Sequence, residues 1–142
     1  MNRSASAVWQ GGLKDGKGTV STESGAVKEL QYSFSSRFES GVGTNPEELL
    51  GAAHAGCYSM ALSAQFTNAG FKPESIATTA VVTLELLPEG GPTITRIHLT
   101  TRVKASGVDQ AKFDELANNA KVGCPLSKVL KAAEITLDAT LE

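Results

Sequence analysis

A stretch without any charged side chain, from Leu49 to Phe66, constrains the fold of this chain more than any other feature. Residues that begin a helix come directly before it: a capping residue, a proline for the first helical position and acids for the positive helix end, in the run Thr44-Asn45-Pro46-Glu47-Glu48. The sequence therefore predicts a helix from Pro46 to about Asn68. Because this helix is apolar nearly all round, we expect it to be covered on most sides.

The uncharged stretch approaches the length of a membrane span. It is rich in Ala, Gly and Ser, however, carries His54 and Gln65, and is flanked by amphipathic strands. We therefore interpret it as the buried central helix of a water-soluble domain, with no membrane partner. A single small domain rarely buries such a helix completely, so we expect a second copy of the chain to supply the missing cover.

Three strands are expected before this helix, because apolar and polar residues alternate there. Residues 4–10 and 17–23 are predicted to form a hairpin around a Gly-rich loop. That loop lacks the strand-to-helix context and the terminal Lys-Ser/Thr of a phosphate-binding loop, so we reject that interpretation. The third strand is predicted from Leu30 to Phe38, with Arg37 on the face opposite the aromatic residues.

The second half of the chain mixes strands and helices. Strands are predicted over residues 76–86, 93–104 and 135–141. Between the last two we expect one helix from the cap Asp109 to Gly123 and a short one from Pro125 to about Lys131. The order β-β-β-α-β-β-α-α-β predicts a single α+β domain over residues 1–142, with antiparallel β-sheets and a long buried central helix.

The charge balance restricts what the protein binds. Thirteen Lys and Arg against fifteen Asp and Glu give a net charge of −2. That near-balance argues against a nucleic-acid or anionic-membrane partner, because each of these needs a basic surface. Residues 1–9 contain no apolar run like that of a signal peptide, so we expect a cytoplasmic protein.

The two cysteines, Cys57 and Cys124, are the residues most suited to chemistry. In a reducing compartment they favour redox or metal chemistry, with two unrelated buried thiols as the structural alternative. Cys57 lies in mid-helix, where burial raises a thiol pKa. As a nucleophile it must borrow a cation worth roughly 2.7 kcal/mol for two pKa units. Cys124 begins a short helix, which lowers a thiol pKa. Which cysteine attacks and which resolves stays open at this point.

A zinc site is another use of these thiols. His54 and Cys57 are one turn apart on one helix face, and only Cys124 and His98 can complete a nitrogen and sulfur set. Because His98 is in phase with polar strand residues, we expect it to be solvated and the protein to hold no metal. A Cys–His hydrolase is disfavoured, because His54 has no evident orienting partner.

Three segments resemble one known family: Gly18–Gly25, Gly43–Cys57 with its Asn-Pro-Glu, and Gly123–Leu130. They are similar to the osmotically inducible protein C (OsmC) family of hydroperoxide reductases, and the resemblance covers the whole chain. It implies a thiol peroxidase that reduces organic hydroperoxides, and hydrogen peroxide as well, without a metal, flavin or other cofactor. It also implies an intertwined homodimer with two active sites at the subunit interface.

The resemblance further implies roles for four residues. Cys57 matches the peroxidatic cysteine, which attacks the peroxide and becomes a sulfenic acid, and Cys124 the resolving cysteine, which condenses with it to a disulfide. Arg37 resembles the arginine of the OsmC branch and would supply the missing cation. Glu47 matches the acidic site residue and would hold that arginine. An external dithiol must then reduce the disulfide, and the resemblance suggests a lipoylated protein.

Helix geometry favours active sites that are shared between two chains. Glu47 and Cys57 are separated by roughly 15 Å along a straight helix and by about 80° around its axis. Supplying Glu47, Arg37 or both from the partner avoids spanning that gap.

The alternative from another functional class is a non-enzymatic redox-sensing thiol module, although the chain has no basic DNA-reading helix.

Overall fold

The computed structural model describes residues 1–142 and contains the predicted elements with one addition. In chain order they are β1 (Ala5–Gln10), β2 (Lys17–Thr22), β3 (Leu30–Ser33), α1 (Phe34–Phe38), α2 (Pro46–Asn68), β4 (Pro73–Leu87), β5 (Gly91–Ala105), α3 (Gln110–Gly123), α4 (Pro125–Val129) and β6 (Glu134–Leu141). The chain divides into two compact units, an N-terminal unit of residues 1–49 and a C-terminal unit of residues 50–142. That the chain works as one domain stays a prediction.

The N-terminal unit is built on an antiparallel sheet with the strand order β1-β2-β3, which confirms the predicted hairpin. Gly18 of β2 lies between Trp9 of β1 and Tyr32 of β3 in the register of the sheet. The rings of Trp9 and Tyr32 pack with their centroids 5.3 Å apart. A side chain at position 18 would meet the Tyr32 ring, so glycine is what lets the two aromatic residues approach.

The prediction of a third strand up to Phe38 was wrong. The strand ends at Ser33, whose hydroxyl accepts a hydrogen bond from the Ser36 amide at 3.1 Å, while the Ser36 hydroxyl accepts one from the Ser33 amide at 2.8 Å. This capping box begins α1, and it outweighs the alternation of apolar residues. Phe34 and Phe38 pack across one helical turn with centroids 4.9 Å apart. Arg37 therefore lies in a helix, not on the face of a strand.

The C-terminal unit contains a sheet with the strand order β4-β5-β6. β4 and β5 pair antiparallel, as predicted, and β6 pairs parallel to β5, so this sheet is mixed within the predicted α+β fold. Parallel neighbours need a crossover of about a dozen residues or more, and α3 and α4 form that crossover between β5 and β6. Asp109 caps α3 through its carboxylate, which accepts from the Lys112 amide at 2.8 Å.

The long helix α2 has the predicted bounds and buries one stripe of residues at spacings of three and four. The stripe consists of Gly51, His54, Tyr58, Leu62 and Phe66. Its apolar members join the core that the helix shares with the sheet and with α3. Other positions are open, and Met60 is 77% exposed. Cover by a second chain stays a prediction. No helix combines the length and the apolar character that crossing a bilayer requires.

Candidate active site

The C-terminal unit brings the two cysteines together. The Sγ atoms of Cys57 on α2 and Cys124 at the start of α4 are 2.8 Å apart, and both cysteines are free thiols. Cys124 is completely buried, whereas Cys57 is half-buried. A disulfide requires a separation of about 2.05 Å, so a small movement of either sulfur suffices to join them.

Local sequence explains why Cys124 lies at a turn between two helices. Its amide donates to the Ala120 carbonyl at 2.9 Å and closes α3, and its own carbonyl accepts from the Lys128 amide at 3.0 Å. Pro125 occupies the first turn of α4, where its missing N–H costs nothing. A residue before proline is held in the extended region, and Cys124 has φ −55° and ψ 128°. Its side chain makes no capping hydrogen bond, so the sulfur is free for Cys57.

The surroundings of Cys57 act on its pKa in opposite directions. Burial raises the pKa most, the hydrogen bond shared with Cys124 raises it further, and a hydrogen bond from the Leu126 amide lowers it. The net effect is a raised pKa. Leu126 lies in the first turn of α4, so the start of this helix acts on Cys57 as well as carrying Cys124. This contact could not be predicted from the mid-helix position of Cys57, because it depends on how α4 packs against α2.

A second polar contact joins the same two helices. His54 on α2 and Ser127 on α4 are buried, and the His54 Nε2 lies 2.8 Å from the Ser127 Oγ. The other ring nitrogen, Nδ1, is buried without a hydrogen-bond partner. Burial lowers the pKa of His54, which keeps the imidazole neutral. Ser127 was not among the predicted site residues; the signal for it was its position one turn after Cys124, matching that of His54 one turn before Cys57.

The N-terminal unit brings Arg37 and Glu47 together. The Arg37 Nη2 donates to Glu47 Oε1 at 2.8 Å, and its Nε donates to Oε1 and Oε2 at 3.2 and 3.3 Å. The guanidinium also lies over the Phe38 ring, 5.1 Å from its centroid. The Glu47 side chain is 11% exposed, against 35% for Arg37. A carboxylate that accepts in this planar, forked arrangement fixes the orientation of the cation as well as its position.

The start of α2 holds Glu47 in place. Asn45 caps the helix, because its Oδ1 accepts from the Glu48 amide at 2.8 Å, and its Nδ2 donates to the Ser36 carbonyl of α1 at 3.2 Å. The Glu48 carboxylate is used locally, accepting from the Thr44 hydroxyl at 3.4 Å. Of the two neighbouring acids, Glu47 is the one that binds Arg37.

The residues weighed for zinc binding do not form a cluster. No three His, Cys, Asp or Glu side chains are grouped as metal ligands. His98 is engaged on the sheet, where its Nδ1 lies 2.7 Å from the Thr136 hydroxyl and its Nε2 lies 3.2 Å from the Asp138 carboxylate. His54 is occupied by Ser127 rather than turned toward a metal.

Comparisons with known proteins agree on one family. The family model described as OsmC-like protein matches residues 39–139. Peroxiredoxin OsmC of Escherichia coli (strain K12) is 52% identical over 142 residues, covering 100% of this chain and 98% of that protein. The organic hydroperoxide resistance protein OhrA of Bacillus subtilis (strain 168) is 32% identical over 99 residues, covering 70% of this chain and 66% of that protein.

Solved structures show the same fold at low identity. An OsmC-like protein of unknown function from Vibrio cholerae aligns with a TM-score of 0.77 at 17% identity, over 98% of this chain and 99% of that one. An OsmC-like protein from Mycoplasma pneumoniae also gives 0.77, at 13% identity, over 99% and 97%. The solved structures share the fold, and the sequence matches over most of the chain show that the chain belongs to the OsmC-like protein family.

Proposed function

We propose that this protein is a cysteine-based peroxidase that reduces organic hydroperoxides, and hydrogen peroxide as a second substrate. The observation that carries the proposal is the pair of free thiols, Cys57 and Cys124, with sulfur atoms 2.8 Å apart. Cys57 is half-buried, which suits a peroxidatic cysteine that contacts the substrate. Cys124 is buried beside it, which suits a resolving cysteine. The names of the relatives, a peroxiredoxin and an organic hydroperoxide resistance protein, point to the same substrate class.

The proposed cycle has three steps. The Cys57 thiolate attacks the peroxide O–O bond, takes one oxygen as a sulfenic acid and releases an alkoxide, which leaves as the alcohol after protonation. The Cys124 sulfur then attacks the Cys57 sulfur, the S–O bond breaks and water leaves, so that a disulfide forms. An external dithiol reduces this disulfide by thiol exchange and is itself oxidised. A lipoylated protein is the proposed dithiol, and the cytoplasm, where thiols stay reduced, is the proposed location.

Arg37 is the proposed activator of Cys57, and Glu47 the residue that orients it. Burial and Cys124 together raise the pKa of Cys57. No lysine or arginine of residues 50–142 lowers this pKa. A fixed guanidinium beside the thiolate would reverse that shift and would also stabilise the charge that develops on the peroxide. The forked pair of Arg37 and Glu47 offers a cation whose orientation is already set.

A homodimer with shared sites is the proposed working form. Ten residues of helix, roughly 15 Å, separate Glu47 from Cys57 along α2. In the proposed dimer, the Arg37–Glu47 pair of one protomer serves Cys57 of its partner, and the open side of α2 around Met60 is covered. Each site would then be incomplete in a monomer. Mixing the inactive Cys57→Ser protein with the slowed Arg37→Met protein under conditions that exchange subunits should therefore raise activity, because some sites receive both intact residues.

Substituting each cysteine in turn distinguishes the proposed peroxidase from a slow redox sensor. Cys57→Ser should abolish hydroperoxide reduction, since serine is not ionised at neutral pH and forms no sulfenic acid. Cys124→Ser should consume one equivalent of cumene hydroperoxide per site and then stop, with a sulfenic-acid trap labelling Cys57. The wild-type thiol should react many orders of magnitude faster than free cysteine. A burst from Cys57→Ser that is absent from Cys124→Ser would reverse the two roles, and a rate like that of free cysteine would favour the sensor.

A further inference from the structure

We propose that the hydrogen bond between His54 and Ser127 fastens α4 to α2 and thereby positions Cys124 for its attack on the Cys57 sulfenic acid, a role that rests on the proposed peroxidase function. Two contacts of 2.8 Å join these helices, the thiol pair and the His54–Ser127 pair. His54 is one turn before Cys57, and Ser127 is one turn after Cys124. The second contact therefore lies one turn away from the reacting sulfurs on both helices.

The short helix α4 depends on such a tie. It has five residues and no side-chain cap, and a helix of this length has no stability of its own in water. Ser127 is its one buried residue, whereas Val129 is 73% exposed. Leu126 packs against the core only in part. Cys124 is buried in the core and Leu130 also packs against it, and the His54–Ser127 bond is the one buried side-chain hydrogen bond between α4 and α2.

The hydrogen bond is strongly favoured by its surroundings. His54 is completely buried, and its Nδ1 has no partner, so the contact with Ser127 is the one hydrogen bond of the imidazole side chain. A neutral imidazole Nε2 can donate to a hydroxyl or accept from it, so either tautomer keeps the bond. If Ser127 moved away, both ring nitrogens would be buried without partners, which is costly. Moving α4 away from α2 therefore costs free energy, and this cost favours the position that α4 has in the structure.

The His54–Ser127 hydrogen bond matters more for disulfide formation than for the other steps of the cycle. Formation of the disulfide needs the Cys124 sulfur close to the Cys57 sulfur and in line with the S–O bond that breaks. An error of about 1 Å in such an arrangement costs orders of magnitude in rate. Attack on the peroxide uses Cys57, which is fixed by the long helix α2. His54 is therefore a positioning residue for resolution.

The test measures the two chemical steps separately. After one equivalent of cumene hydroperoxide, quenched samples analysed by mass spectrometry give the lifetime of the Cys57 sulfenic acid. We expect His54→Leu and Ser127→Ala each to lengthen this lifetime about tenfold, as the loss of a buried hydrogen bond predicts. The double variant should be no slower than the worse single one, because both remove the same contact. His54→Gln, whose amide nitrogen can replace Nε2, should restore most of the rate.

Two controls distinguish positioning from a general loss of structure. Ser59→Ala removes another side-chain hydrogen bond of α2, the partly buried one from the Ser59 hydroxyl to Thr78 at 2.8 Å, and should leave the sulfenic-acid lifetime unchanged. Adding His54→Leu to Cys124→Ala isolates attack on the peroxide, which should slow much less than resolution. Equal slowing of both steps, or no slowing of resolution, would overturn the inference. If Cys124→Ala alone consumes no hydroperoxide, the proposed peroxidase function fails instead.

Discussion

The helices α2 and α4 begin alike in sequence and differently in structure. Each has a proline in its first turn, preceded by the residue in the capping position: Asn45 for α2 and Cys124 for α4. The Asn45 side chain caps α2 by accepting from the Glu48 amide. The Cys124 side chain makes no such bond, and the Leu126 amide of α4 instead lowers the pKa of Cys57 on the neighbouring helix.

This difference separates a helix start that serves the fold from one that serves chemistry. At α2, the cap closes the helix and leaves the Glu47 carboxylate free to bind Arg37. At α4, a thiol in the capping position leaves an amide of the first turn available for an external anion, which a thiolate supplies. The first arrangement orients a cation, and the second favours the charged form of a sulfur. Activation of Cys57 in the proposed mechanism uses both.

We expect the largest loss of activity from removing Arg37, the cation that Glu47 binds at the start of α2. Arg37→Met should slow attack on cumene hydroperoxide by about 100-fold, comparable to the loss of one preorganised electrostatic contact in other enzymes. Without the guanidinium, burial keeps the Cys57 pKa raised, so less thiolate is present at neutral pH. The rate of the variant should therefore keep rising with pH after that of the wild type has levelled off. Stopped-flow kinetics across this pH range give both results.

Glu47→Gln is the matched control for that variant. The cation remains, but the amide replaces the carboxylate that holds it, so the loss should be smaller than for Arg37→Met. The free energy of unfolding should change little in Arg37→Met, because a partly exposed ion pair contributes little to stability. A variant that unfolds readily, or one whose pH profile matches that of the wild type, would contradict a role in activation.

A smaller effect is expected when the open start of α4 is closed. Cys124→Ser places a hydroxyl in the capping position, where serine accepts readily from amides of the first turn. Such a cap competes with Cys57 for those amides, whereas Cys124→Ala offers no acceptor. Both variants stop after one equivalent of hydroperoxide. We expect that single turnover to be several-fold slower in Cys124→Ser than in Cys124→Ala. Equal rates would show that the Leu126 amide does not assist Cys57.

Sequence patterns predicted the two long helices, α2 and α3, well, because strong local signals mark where each begins. The run from Thr44 to Glu48 located the start of α2, and Asp109 located that of α3. The pattern failed from Phe34 to Phe38, where alternating apolar residues favoured a strand but the capping box of Ser33 and Ser36 began a helix. Such a box depends on two short side chains reaching back to the backbone, which periodicity does not report.

The site was only partly accessible from sequence for a different reason. Cys57 and Cys124 stood out by residue type, and the resemblance gave them roles. The contacts of His54 with Ser127, and of Leu126 with Cys57, depend on how α4 packs on α2. His54 and Ser127 are 73 positions apart in the sequence, and the only signal for their contact was that each lies one turn from a cysteine. The direction of β6 likewise follows from how the crossover packs and not from the strand's own alternation.

The smallest effect should come from opening the closed start of α2. Asn45→Ala removes the acceptor for the Glu48 amide and the donor to the Ser36 carbonyl, so the free energy of unfolding should fall by about 1 kcal/mol in urea titrations. Asn45→Asp keeps the acceptor and should recover most of this loss, because a carboxylate also suits the positive end of a helix. Hydroperoxide reduction should fall only a few-fold in Asn45→Ala, since Arg37 and Glu47 remain. If activity were instead abolished at unchanged stability, the start of α2 would take part in the chemistry as directly as that of α4, and the distinction between the two would fail.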